Sequence, residues 1–521
     1  MREYNRAFLK IAKRAERQDD DILQRTFVDI GSVFDVLSSI DHQIMYGRRG
    51  TGKTHILTVL RKEKEGKGDV AIQIDMRNLG SVGGVYADAT LPIKVRATRL
   101  LVDVLASIHT SVLEYAIDKD DLIDLSLIGP ALDMFFDAHT EVTVSGSVTQ
   151  ELVETNSNAV NDKISAGFSV GSTGGSFNAG MNQDSGQGSS FSKKTTTVGV
   201  QIPRVNFGRV GTAMKKMVEN LPNKKLWLLI DEWSEVPLDL QPILADLLRR
   251  AILPIRGVVV KIAAIEQRSN FIIPDPSVGN VGIEIGADIS SAVTLDDYMV
   301  FDNDEDKAVE FFKKMVLKHI QAVWDHDKPQ PTSTSELMSK GFTQSNAFIE
   351  LVRACEGVPR DIIHILSLAA QRTGDDTISI PHVRQAAAAW YQSSKESVVS
   401  SHVLAKDLLF WIVDSVIKTR RTKAFLLKVG TSDELIDYLY DARVLHILRK
   451  GISAQDLPGI RYSVYGIDYG CYVDLINTQQ SPVGLLDIGD ESIDVTTVVP
   501  KTDLRSARRC ILELDTFYQQ H

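Results

Sequence analysis

The chain has 521 residues and carries 58 Lys+Arg against 68 Asp+Glu, a formal charge of −10. With 43% apolar and 24% charged residues it is globular rather than disordered, and its length predicts about three domains. The acid surplus argues against a general basic coat for nucleic acid but leaves room for one local basic face. No uncharged apolar run reaches the roughly 18 residues of a membrane helix, and no leader pattern is evident, so neither spanning nor secretion is expected. Cys355, Cys471 and Cys510 stand far apart without CxxC spacing. That fits a reducing, cytoplasmic setting with no disulfide frame and no zinc cluster.

In chain order, a basic helix-like stretch (Arg2 to Arg17) fills residues 1–24 and ends at the acidic break Asp19–Asp21. Residues 25–300 alternate strands with helices. Strand Gln43–Tyr46 precedes a helical pattern from His55 to Arg61, and the run Val70–Asp75 precedes a long amphipathic helix from about Ile93 to Tyr115. Strand Leu226–Ile230 then leads to helix Leu240–Ile252 and strand Val258–Ile265. This alternation predicts an α/β fold, a parallel sheet covered by helices on both faces. Helices dominate residues 301–395. In residues 396–521 a helix (Ala405–Ile417), a strand (Ala424–Val429), a helix (Asp433–Arg449) and a hairpin (Gly459–Tyr465 with Cys471–Leu475) follow one another. That order is expected of a winged helix-turn-helix. Residues 140–202 differ in composition: apolar residues alternate with polar ones around Val142–Val148, Ile164–Val170, Phe177–Met181 and Val198–Ile202, with Gly/Ser-rich breaks between. One or two long β-hairpins are predicted there, as an arm for a neighbouring subunit or partner, a mobile surface insertion, or a single-strand-binding arm. The runs are too short and too rich in Gly, Ser and Asn for a membrane hairpin.

Gly47-Arg48-Arg49-Gly50-Thr51-Gly52-Lys53-Thr54 matches the phosphate-binding loop in full, and His55 continues into the helix. The glycines let successive N–H groups turn toward phosphate oxygens at a helix N-terminus. Lys53 would reach the β- and γ-phosphates and Thr54 would ligate Mg²⁺. The pattern follows a predicted strand and opens a predicted helix, as the chemistry requires. Asp231-Glu232, at the end of an apolar strand, supplies a second half: Asp231 for the Mg²⁺ shell and Glu232 to deprotonate an attacking water.

With these motifs and Glu356-Gly357-Val358-Pro359-Arg360-Asp361-Ile362-Ile363, the chain resembles AAA+ P-loop ATPases. The narrower likeness is to the origin-recognition-complex-like group, which is related to the STAND-type signalling ATPases. The resemblance implies ATP with Mg²⁺, a helical lid, a C-terminal winged helix, and Arg360 as the lid arginine that reaches the γ-phosphate. It also implies homo-oligomers in which a neighbour's arginine completes the site. A polar first sensor would be Gln267 or Ser269, and the donated arginine Arg268 or the pair Arg249-Arg250. The implied role is an ATP-driven switch, a regulator or sensor in DNA-related or anti-phage defence processes and acting on a protein partner or effector. An initiator-type DNA-binding protein and a non-hydrolysing scaffold are the alternatives.

Other constellations carry less. Asp302, Asp304 and Asp306 have calcium-loop spacing, but Lys307 and Lys313 occupy the positions that need glycine and glutamate, so these acids are expected to cap a helix. Asp325-His326-Asp327 reads as solvated loop charge. The candidate DNA-reading helix opens with Asp433-Glu434 and continues through Asp437 and Asp441, with Arg443, Arg449, Lys450 and Arg461 only late or on the wing. DNA contact is therefore expected to be local and directed at phosphates.

Overall fold

The computed structural model describes residues 3–79, 88, 90–139, 142–154, 191–203, 205–275, 279–299, 304–325, 327–431, 433–453, 459–476 and 510–520. The first nine strands are β1 (Gln43–Tyr46), β2 (Val70–Asp75), the pair β3 (Val142–Glu154) and β4 (Phe191–Pro203), β5 (Leu226–Asp231), β6 (Val258–Ala264), the short pair β7 (Ile272–Asp275) and β8 (Gly279–Gly282), and β9 (Ser291–Thr294). Five of them form one parallel sheet in the order β2-β5-β6-β1-β9. The strand that feeds the phosphate loop is therefore separated by β6 from the strand that ends at Asp231.

Helices in the first half are α1 (Glu3–Lys10), α2 (Asp20–Thr26), α3 (Val33–Leu37), α4 (Lys53–Gly66), α5 (Ile93–Asp118), α6 (Leu125–His139), α7 (Phe207–Glu219) and α8 (Gln241–Ala251). Strand alternation divides the sheet's apolar residues between two cores. Ile44, Ile72, Leu228, Ile230, Val260 and Ile262 face α5 to α8. Met45, Ala71, Trp227, Leu229, Val259 and Ala263 face α3 and α4. The α/β architecture with helices on both faces is thus the one the alternation predicts. Helix α5 is long and apolar enough to cross a bilayer, but its stripe Leu100, Leu101, Val104, Leu105, Ile108 and Val112 is buried in the core.

The second half holds α9 (Asp296–Met299), α10 (Glu305–Val323), α11 (Thr334–Gly341), α12 (Ser345–Ala354), α13 (Pro359–Thr373), α14 (Ile380–Trp390), α15 (Ser397–Val399) and α16 (Val403–Ile412). Asp304 caps α10, its Oδ1 accepting the Lys307 N–H at 3.1 Å, which accounts for that acid as a cap. Helix α1 is not a separate piece: Tyr4 and Phe8 are buried among the lid helices, beside Trp324 and Phe342.

The C-terminal region contains β10 (Ala424–Lys428), α17 (Glu434–Asp441), β11 (Leu445–Ser453), β12 (Arg461–Ile467) and α18 (Leu514–Tyr518). Helix, strand, helix and hairpin follow in the order expected, but two boundaries differ. The helix expected to reach Arg449 stops at Asp441, because Arg443 turns left-handed at φ 63° and ends it,. The apolar run that follows becomes β11, since a run this short suits helix and strand equally. The hairpin is consequently β11 with β12, in a sheet ordered β10-β12-β11. Tyr469–Cys471 and Val473–Leu475 are 3₁₀ turns, the first capped by Asp468, which accepts the Gly470 N–H at 3.0 Å. In the 140–202 insertion, β3 and β4 pair antiparallel from Val142↔Pro203 to Glu154↔Phe191. The alternating runs at Ile164–Val170 and Phe177–Met181 lie outside the described residues.

Candidate nucleotide-binding site

The site is built where β1 ends. Gly50 at φ 88° and Gly52 at φ 93° let the chain curl into the start of α4,. A side chain at Gly50 would also collide with the lid, its Cβ falling 2.8 Å from the Arg360 Cβ. Gly47 leaves room for Thr51, whose hydroxyl donates to the Arg48 carbonyl at 2.8 Å. Lys53 is buried and curls back over the loop, its Nζ donating to the carbonyls of Gly47 (2.8 Å) and Arg48 (3.1 Å). Burial lowers the pKa of its ammonium, which Glu232 and Asp231 partly oppose.

At the tip of β5, Asp231 is buried; its Oδ1 accepts the Glu232 N–H at 2.9 Å and its Oδ2 accepts from the Gln73 amide at 3.4 Å. Burial raises its pKa, against the pull of Thr54 and Lys53. Glu232 stands in the left-handed region, φ 54°, ψ 38°, a strained backbone of the kind that gathers at functional sites. Burial and the neighbouring Asp231 both raise its carboxyl pKa. Arg360 opens α13, and its N–H donates to the Gly50 carbonyl at 3.2 Å. The loop from Arg49 to His55, Glu232 and Arg360 line one cavity of about 260 Å³.

The remaining expected residues lie elsewhere. His55 lines the edge of the cavity, but its Nε2 is engaged with the Leu23 carbonyl at 2.6 Å, so the ring holds α2 in place. The Arg48 side chain points away from the cavity into a buried cluster with Asp296 and His446. Arg49 pairs with Glu235 at 2.8 Å at the cavity rim. Gln267 and Arg268 are not among the lining residues. The Gln267 Oε1 is buried without a hydrogen-bond partner among the described residues, and Arg268 pairs with Asp441 of α17 at 3.1 Å. The Ser269 hydroxyl lies 3.0 Å from that of Ser234. Arg249 and Arg250 both pair with Asp246 on their own helix.

The model of the ORC-CDC6-like family matches residues 12–63, the span that holds both the loop and the N-terminal wall of the cavity. This segment is ORC-CDC6-like. No curated protein matches the chain. A solved structure, that of the Aeropyrum pernix ORC1 protein in complex with DNA, is similar at 12% identity over 89% of this chain and 93% of that one, with a TM-score of 0.30.

Sequence reasoning missed part of the ORC-CDC6-like segment and one residue beyond it. Residues Ala12 to Glu16 and Gln18, with Phe27, Val28 and Ile30, line the cavity together with Phe311, Met315 and His319. Arg77 lies 3.7 Å from Glu232 and is held by Asp75 (2.6 Å) and Glu16 (3.5 Å). The parallel register Asp75↔Asp231 brings Arg77 beside Glu232. Nothing in local spacing reveals that pairing.

Proposed function

We propose that the chain is an ATPase switch of the AAA+ kind, with ATP held between the sheet domain and the lid. The observation that carries this reading is the convergence of the phosphate loop, Glu232 and Arg360 on one cavity from three distant parts of the chain. Loop amides and Lys53 hold the β- and γ-phosphates. Thr54, at the start of α4, and Asp231, at the tip of β5, are the pair for Mg²⁺, which supplies charge neutralisation on the phosphate oxygens. Glu232 takes the proton of the attacking water, and the burial that raises its carboxyl pKa makes it a stronger base,. Arg77 positions Glu232, and Arg360 meets the γ-phosphate and carries its presence to the lid. The apolar side chains of Leu23, Phe27, Val28 and Ile30, with Phe311 and Met315, line the cavity and suit a nucleotide base.

Phosphate release by the purified protein tests this. Lys53→Ala should abolish it together with ATP binding. Glu232→Gln should keep binding and lose about 100-fold or more in rate. Equal release by the wild type and both variants sinks the enzyme reading and leaves a nucleotide-bound scaffold.

We place this switch in a regulatory setting, DNA-linked or in anti-phage defence, with a protein partner, because α17 is acidic. Homo-oligomers are part of the reading; a particle mass that is the same with and without ATP counts against nucleotide-driven assembly. The initiator-type alternative draws on Arg449 and Arg461, both exposed on the β11–β12 wing, where they suit DNA phosphates.

A further inference from the structure

Although its backbone belongs to the phosphate loop, Arg48 is buried where three parts of the chain meet. Its Nε donates to Asp296 Oδ1 at 2.6 Å and its Nη2 to the Glu356 carbonyl in the lid at 2.8 Å. Its Nη1 bonds Nδ1 of His446 on β11. From there a buried chain of polar groups continues. The His446 Nε2 lies 3.0 Å from Asp468 Oδ2, and Lys395 donates to that same oxygen at 2.5 Å. Lys395 also lies 2.9 Å from Asp361, the residue after Arg360, and Asp361 accepts from Arg443 at 2.8 Å. Phosphate loop, C-terminal region and the lid helix bearing Arg360 are thereby joined in one network.

Such a network adds little net stability but is satisfied in only one arrangement of its parts, so it selects geometry. The packing around it shows which bodies it locks. Lid and C-terminal region share a single apolar core, from Phe348 and Leu366 to Leu439 and Phe425, and so form one unit. That unit meets the sheet domain near α17 through charges: Arg268 with Asp441 at 3.1 Å, Arg49 with Asp441 at 3.9 Å, and Lys450 with Glu266. Tyr440 of α17 is buried at the same contact, close enough to Arg48 and Asp296 to feel both charges. The C-terminal end of the helix a winged domain would lay on DNA is therefore held against the ATPase core, while Glu434 and Asp437 stay exposed.

We infer that Arg48 is a latch: it holds the C-terminal unit closed over the core with the end of α17 against it, and loading the phosphate loop shifts the latch equilibrium. The link is Lys53, whose Nζ pins the Arg48 carbonyl; phosphate at the loop competes for that ammonium and frees the segment that aims the guanidinium. Only this second half rests on the nucleotide reading.

Hydrogen exchange on the full chain tests both halves. Asp441→Lys faces Arg268 and Arg49 with a like charge at a half-exposed position, so the fold survives while the contact does not. Exchange in 433–450 should speed up about fivefold or more, while 226–231 in the sheet stays unchanged. His446→Phe should do the same from the buried side; if that variant unfolds, Asp441→Lys alone decides. Unchanged exchange in Asp441→Lys overturns the latch. In the wild type, Mg·ATP at an occupancy verified by calorimetry should shift exchange in 445–450 by about fivefold or more. Equal exchange at verified occupancy overturns the coupling. Failure to bind ATP at all overturns the nucleotide reading instead, and the Asp441→Lys arm still judges the latch.

Discussion

Asp468 is a fully buried carboxylate, and its surroundings say why it stays charged. Burial alone would raise its pKa, yet Lys395 and His446 hold it well below the usual carboxylate range. Asp468→Asn would leave Lys395 with half its counter-charge, and a loss of about 3–5 kcal/mol is expected in urea unfolding, because breaking a buried pair strands the surviving ion. His446, between Arg48 and Asp468, is pushed by burial and by Arg48 down to about 4, so it is neutral when folded. An unfolded imidazole titrates near 6.5. Its contribution is therefore fully present above about pH 6.5 and is lost as the pH falls toward 4, since the unfolded chain then binds the extra proton. His319, also buried and pushed to about 4, acts in the same direction. Urea midpoints should fall between pH 7.5 and pH 5, and His446→Gln should flatten part of that fall; an identical fall in the variant would rule His446 out as a contributor. At this scale the motif residues were readable because loop chemistry is local. The direction of the Arg48 side chain was not, since nothing within the octapeptide distinguishes it from Arg49.

The loop and the start of α13 form a pair of elements in direct contact. Gly50→Ala forces a Cβ into a left-handed backbone and against Arg360, so it should weaken ATP binding by about tenfold and lower stability by about 1–3 kcal/mol. Titration of a fluorescent ATP analogue checks the first effect, and wild-type affinity in the variant would mean that loop and lid can separate without penalty. Long elements such as α5 and the strands β5 and β6 were readable from periodicity, which sums over many residues. The junction of α17 and β11 was not. Helix and strand are both open to Val444–Leu448, and the choice falls to Arg443 at φ 63° and to the pairing of Leu445 and Ile447 with β12.

Among the described residues, the buried apolar side chains fall into two cores on the sheet's faces, a larger one shared by α1, the lid and the C-terminal region, and a small one on the β10–β12 sheet. Division along the chain therefore differs from division in space. Residues 1–24 and 396–521 stand apart in sequence, but each contributes to the core of the lid. Of the acids on α17, Asp441 faces Arg268 and Arg49 inside the molecule, while Glu434 and Asp437 remain exposed. What remains open on the wing is basic, Arg449 and Arg461. If DNA phosphates meet this face, neutralising both residues should weaken retention of a duplex uniformly across sequences and reduce the salt slope by about two. An unchanged slope would direct the search away from the wing.

Taken alone, the sequence determined the loop pattern after β1, the apolar strand ending in Asp231-Glu232, and the α/β alternation, because each is encoded over a few residues or by a short period. Tertiary structure decided the rest. It set Arg77 beside Glu232 through the register of β2 on β5, lined the cavity with the N-terminal segment, and turned Arg48 from the cavity toward His446. Those outcomes depend on which distant surfaces exclude water together, and contact order of that kind leaves no periodic trace along the chain.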